Sequence, residues 1–220
     1  LISYGVLNLT HRTSHEHPTR LEPGKVFEAR VTLDQCAYRV PAGHRLRVAV
    51  STAYWPLIWP SPHAATLTLE AATLELPVRP LATGDEVSFP DSETATPWRT
   101  ETLRPARSER HIGIDQKTGV TTLTISDDFG EVRDLAHGLV NGSIVHETWS
   151  IQPDDPLSAS METRWTQTFS RDAWSVRTET TSRMWSDEKA FHLQARIEAY
   201  EGDRLVFERD FRESVPRDHL

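Results

Sequence analysis

Apolar and polar residues alternate singly through most of the chain, the period of a half-buried strand. Phe27, Ala29, Val31 and Leu33 share one face, with Glu28, Arg30 and Thr32 on the other. Leu46, Val48 and Val50 repeat the pattern, and Leu67, Leu69, Leu74, Leu76 and Val78 continue it. Between the first two runs, Pro41-Ala42-Gly43 predicts a turn: proline presets φ and glycine supplies a left-handed position. Residues 79–110 break the pattern. Pro80, Pro90, Pro97 and Pro105 punctuate a Thr-, Ser-, Glu- and Arg-rich stretch that reads as a linker or surface crossing, anchored at Trp98.

Beyond it the alternation resumes. Ile112 to Ile114 and Val120 to Ile125 flank a loop ending in Gly119, which predicts a hairpin. Further strands are expected over 144–151, 161–169, 174–184, 191–199 and 205–211, with turns at 153–156 and 201–203. No helix is expected beyond single turns near 132–137 and 187–190. The second part therefore reads as antiparallel hairpins or a meander, and the chain as all-β.

Composition supports that class. The chain has 220 residues, of which 24 are Thr, a residue that favours strands over helices. Seven Trp, seven Phe and four Tyr argue for a folded chain. No apolar run reaches the length of a membrane span. The N-terminus shows no signal-peptide pattern and no initiator Met, so the chain is expected to begin inside a longer protein. Cys36 is the single cysteine, which excludes an internal disulfide and a Cys-based zinc site.

The net charge is −8. Lys and Arg balance Asp and Glu over residues 1–90, so the whole acidic excess lies in 91–220, as expected of two units in different surroundings. An acidic chain is a poor general binder of nucleic acid.

Candidate chemistry is sparse. There is no G-x-S-x-G elbow, no GxGxxG and no P-loop. His11, His15 and His17, with Glu16, have the donors for zinc but sit in an irregular loop beside Pro18. A polar or interface loop is the alternative reading, and no metal site is assigned. The adjacent pairs Asp127–Asp128 and Asp154–Asp155 point to opposite faces if on strands, which makes them poor acid–base dyads. The densest aromatic segment is Tyr54-Trp55-Pro56-Leu57-Ile58-Trp59-Pro60. Its prolines forbid a helix or a central strand, and its large apolar side chains each gain about 2 kcal/mol from burial. They must therefore pack on their own sheet, on a partner domain or on a stacked ligand such as a sugar.

Four stretches in order carry a family resemblance: residues 5–12, Leu21-Glu22-Pro23-Gly24, residues 37–47, and Tyr54-Trp55-Pro56. They resemble the C-terminal domain of the CocE/NonD hydrolases, the family of the bacterial X-Pro dipeptidyl-peptidases and cocaine esterase. Pro153-Asp154-Asp155-Pro156-Leu157, residues 198–202 and Pro216-Arg217-Asp218 look like the longer tail of some members.

The resemblance implies a non-catalytic, jelly-roll-type (galactose-binding-like) β-sandwich over 1–80 that lacks its first strands. A Pro-rich crossing over 81–110 and a second antiparallel β unit over 111–220 follow. It also implies an upstream α/β-hydrolase domain in the same polypeptide, which carries the Ser-His-Asp triad. No catalytic residue is therefore expected here, and no cofactor. The candidate interface residues are Tyr54, Trp55, Trp59, His11, His15 and His17, and Pro41 and Gly43 form a structural turn. A bacterial cytoplasmic location is implied, with no nucleic-acid or membrane partner. The sandwich edge left by missing strands predicts homo-oligomers. The alternative function is a carbohydrate-binding β-sandwich module.

Overall fold

The structure, a computed structural model, describes residues 1–80 and 87–219. Residues 81–86, the start of the expected crossing, lie outside the described residues. The protein is all-β. Among the described residues, its strands form one eight-stranded antiparallel sheet: β1 Thr100–Arg104, β2 Arg107–Ile114, β3 Thr121–Asp134, β4 Val140–Gln152, β5 Asp155–Arg171, β6 Trp174–Ser186, β7 Ala190–Glu201 and β8 Arg204–Pro216. Strands β3 to β8 run as a meander, each paired with the next. β1 and β2 pair end to end along β3. The last residues of the Pro-rich stretch are therefore strand, broken at Pro105.

The register explains the alternation. Ile112, Leu123, Trp149, Met161, Met184 and Leu193 lie directly across from one another on successive strands. Glu109, Ser126, His146, Arg164, Thr181, Arg196 and Asp210 form a parallel row of opposite character. Side chains alternate across a strand, so these rows occupy opposite faces. One face is apolar, the other polar. Polar pairs on this face add support: Arg196 bonds Glu208 and Asp210 across on β8, and within their own strands Arg196 bonds Glu198 and Arg164 bonds Glu162.

The turns follow their residues. Asp115 accepts from the backbone N–H groups of Lys117 and Thr118, and Gly119 has φ 76°. Those bonds hold the Asp115 carboxyl below its ordinary pKa. Asp134 closes the β3–β4 turn by accepting from Ala136 N and from Trp98 Nε1 at 2.6 Å. Trp98, just before β1, makes this bond while the residue stays 70% exposed. Gly130 is required where β3 bulges. Its φ is 83°, and a Cβ would lie 2.7 Å from the Arg104 carbonyl oxygen.

The first eighty residues differ from expectation. The strands expected over 27–33, 45–50 and 67–78 do not form. Within 1–80 the only regular element is the 3-10 turn Leu9–His11. Alternation specifies a face, but a strand also needs a neighbouring backbone to receive its N–H and C=O groups. These segments meet such a neighbour only locally. Asp34 N donates to the Tyr4 carbonyl at 2.8 Å, whereas Arg30 and Glu75 pair only through their side chains, at 3.3 Å. The alternating apolar side chains stay exposed, Val48 at 61% and Leu69 at 62%.

Candidate functional site

The aromatic loop 54–62 is where the first part of the chain meets the sheet. Ile58 N donates to the Tyr54 carbonyl at 2.8 Å, closing the loop on itself, and the Trp55–Pro56 bond is cis. Trp55 and Trp59 stand edge to face, ring centroids 5.2 Å apart. Trp55 also stands edge to face with Trp149 on β4 at 5.8 Å, and Trp59 with Phe191 on β7 at 6.4 Å. The Trp59 Nε1–H donates to Ser186 Oγ on β6 at 2.9 Å. Trp149, Ser186 and Phe191 all belong to the apolar face. Each indole is thus turned toward other rings in the preferred edge-to-face geometry. Tyr54 lies at the loop's outer side, near Tyr4 at 6.3 Å.

Arg217 locks this contact. It follows β8 directly and is 3% exposed. Nη2 donates to the Pro60 carbonyl at 2.7 Å, and Nη1 to Ser186 Oγ at 3.0 Å and the Asp187 carbonyl at 3.3 Å. The guanidinium also lies 4.6 Å from the Phe191 ring centroid. Burial lowers its pKa, and the nearby Asp187 opposes that shift. Beside it, the Asp187 carboxyl is lowered to about 2, chiefly by the hydrogen bond to His192 and then by the Lys189 and Ala190 N–H groups.

The histidine loop makes a second, smaller junction. Asn8 Nδ2 and Thr10 Oγ1 donate to the His219 carbonyl at 3.4 and 3.0 Å, tying 8–10 to the end of the chain. His11 Nδ1 lies 3.3 Å from His15 Nδ1, while His17 is exposed beside Glu16. Among the described residues, no three of His, Cys, Asp and Glu come together as metal ligands. Arg12 braces the loop by donating to the Leu9 and Thr19 carbonyls, each at 3.1 Å. Pro41 and Gly43 form a turn closed by His44 N on the Pro41 carbonyl at 3.2 Å, with Gly43 at φ 82°. The structure thus brings Trp55 and Trp59 together and leaves the histidines apart from them. Sequence reasoning missed Arg217, Ser186, Trp149 and Phe191 as the seat of the loop. An arginine directly after Pro216, at the end of an amphipathic strand, was the available signal.

These features make a packing junction between the aromatic loop and the sheet. Residues 1–107 match the family described as the X-Pro dipeptidyl-peptidase C-terminal non-catalytic domain. This segment of the chain is similar to that family. No curated protein and no solved structure matches the chain. The family segment contains the histidine loop, the Pro41–Gly43 turn and the aromatic loop, and it ends at the first residue of β2. Nearly all of the sheet lies beyond it. The Trp55–Trp59 junction therefore joins the family segment to its β extension. Among the described residues, no helix is long and apolar enough to cross a membrane.

Proposed function

We propose that the chain is the non-catalytic β part of an α/β-hydrolase-type serine hydrolase whose triad-bearing domain belongs to the same polypeptide. The match of residues 1–107 to a non-catalytic domain family carries this reading. In it, 1–80 corresponds to a jelly-roll sandwich whose strands are not formed in this structure, the Pro-rich crossing ends at β1, and the sheet from β1 to β8 is the β extension. The alternating residues of 27–33, 45–50 and 67–78, exposed and without strand structure here, are the surface that the catalytic domain covers in the whole protein. Apolar surface of this extent is a contact surface. The part packs on the catalytic domain and shapes the rim of an active site for X-Pro peptides or acyl esters.

The histidine loop and the outer side of the aromatic loop are the contact points. Trp55 and Trp59 are engaged with the chain's own sheet, so their loss perturbs two contacts at once. Tyr54 and Leu57 are exposed, at 46% and 65%. In the full-length protein, Tyr54→Ala with Leu57→Asp is expected to lower kcat/KM on an X-Pro anilide or an aryl ester. The sheet should keep its thermal stability. Unchanged kinetics on both substrates would remove the aromatic loop from the rim.

A further inference from the structure

β8 is the outer strand of the sheet, and every residue from Arg204 to Pro216 is exposed. Its outward N–H and C=O groups form a row open to another strand. The opposite edge is less suitable, because β1 and β2 are interrupted at Pro105. β8 also bulges once, at Val206, and then pairs regularly with β7 from Phe207 to Pro216.

We infer that β8 pairs antiparallel with β8 of a second copy of this chain, about a two-fold axis through Phe211. Such an axis, perpendicular to the sheet, keeps each face on its own side and pairs residues of equal parity. Centred on Phe211, the register sets Phe211 against Phe211, Asp210 against Arg212, Arg209 against Glu213, Glu208 against Ser214, and Phe207 against Val215. Every charged residue meets an opposite charge or a hydroxyl, and every apolar residue meets an apolar one. The neighbouring registers fail. Centring on Arg209 opposes Arg209 to itself and Glu208 to Asp210. Centring on Asp210 opposes Asp210 to itself and Phe207 to Glu213. Centring on Arg212 opposes Arg212 to itself and Phe211 to Glu213. Like charges directly opposite are destabilising.

Electrostatics within one chain favour the same answer. Glu198, Glu208 and Asp210 share the single guanidinium of Arg196. The Arg212 of a second copy brings a further cation to that cluster. The apolar faces of the two sheets then run continuously across the axis through Phe207, Phe211 and Val215. This contact stands on β8 alone and does not depend on the enzymatic reading above.

The test is sedimentation of the full-length protein with charge reversals. Arg209→Glu and Glu213→Arg, each alone, set like charges opposite at two symmetric places and should weaken the dimer about tenfold or more. The double variant restores both pairs and should restore the dimer. A second measurement reads the register directly. In a Cys36→Ala background, Phe211→Cys places two sulfurs across the axis. Directly opposite Cα atoms are about 4.5–5.5 Å apart, inside the range a disulfide spans. Oxidation should give a covalent dimer from Phe211→Cys and none from Leu205→Cys. A wild-type monomer, a dimer indifferent to the single reversals, a double variant that stays dissociated, or a ladder of larger polymers would each overturn the inference. So would failure of Phe211→Cys to cross-link.

Discussion

Arg217 holds residue 60 against the β6–β7 turn, and removing it tests whether the junction couples the two parts of the chain. To the described residues Pro60, Ser186 and Asp187 its fork donates hydrogen bonds of 2.7 to 3.3 Å. Hydrogen bonds from a charged donor are each worth about 1.5–3 kcal/mol. Two opposing effects reduce the sum: burial disfavours the charge, as its lowered pKa shows, and ordering the side chain costs about 2 kcal/mol of rotamer entropy. Truncation also leaves the Pro60 carbonyl without this donor. The net expectation for Arg217→Ala is a loss of about 2–4 kcal/mol. Arg217→Lys keeps the charge but not the fork, and should recover less than half. The assay is urea unfolding followed by Trp fluorescence, which reports Trp55, Trp59 and Trp149 together. At about 2 kcal/mol per molar of urea, the Arg217→Ala midpoint should fall by about 1–2 M. The single transition should also split, with 54–62 leaving the sheet first. A loss below about 1 kcal/mol, or a lysine variant as stable as the parent, would refute the argument that a bidentate bridge holds the junction.

Three other outcomes are expected. Trp59→Ala should destabilise by about 2–4 kcal/mol, and a double-mutant cycle with Phe191→Ala should show a coupling of about 0.5–1.5 kcal/mol; additive losses would deny the ring contact. Gly130→Ala should lose at least about 2 kcal/mol in thermal unfolding, because a left-handed φ and the Arg104 carbonyl both oppose a Cβ; a neutral change would mean that the β3 bulge relaxes. Asp187 should make stability depend on acid. Its folded pKa of about 2 lies below its ordinary value of 3.8, so its contribution is complete above about pH 4 and is lost as pH falls through 2. An NMR titration of the Asp187 carboxyl with a midpoint near 3.8 would contradict this.

The same alternation had two fates in this chain, and the contrast shows what a sequence carries. Over 112–211 the apolar and polar rows were legible because consecutive strands are joined by short turns. Asp115 to Gly119, Pro153-Asp154 and Gly202-Asp203 each return the chain beside the strand it has just left. A local signal then specifies both the face and the partner, and the meander follows. Over 27–78 the pattern is just as regular, but it names only a face. The partner of each strand is set by long-range closure, which no local period encodes. The junction was partly legible for a related reason. That Trp55 and Trp59 must be covered followed from their area and their prolines. That Ser186, Phe191 and Arg217 cover them depends on contacts spanning more than a hundred residues. The sequence therefore reports reliably which surfaces need covering and leaves open what covers them. On that logic the remaining exposed apolar rows, in 27–78 and along β8, mark where the catalytic domain and the second copy of the chain should be sought. Charge separates the two. The first row lies in the part of the chain where charges balance, which suits an apolar seat on a larger domain. The second lies among alternating charges that complement themselves, which suits a copy of the same strand.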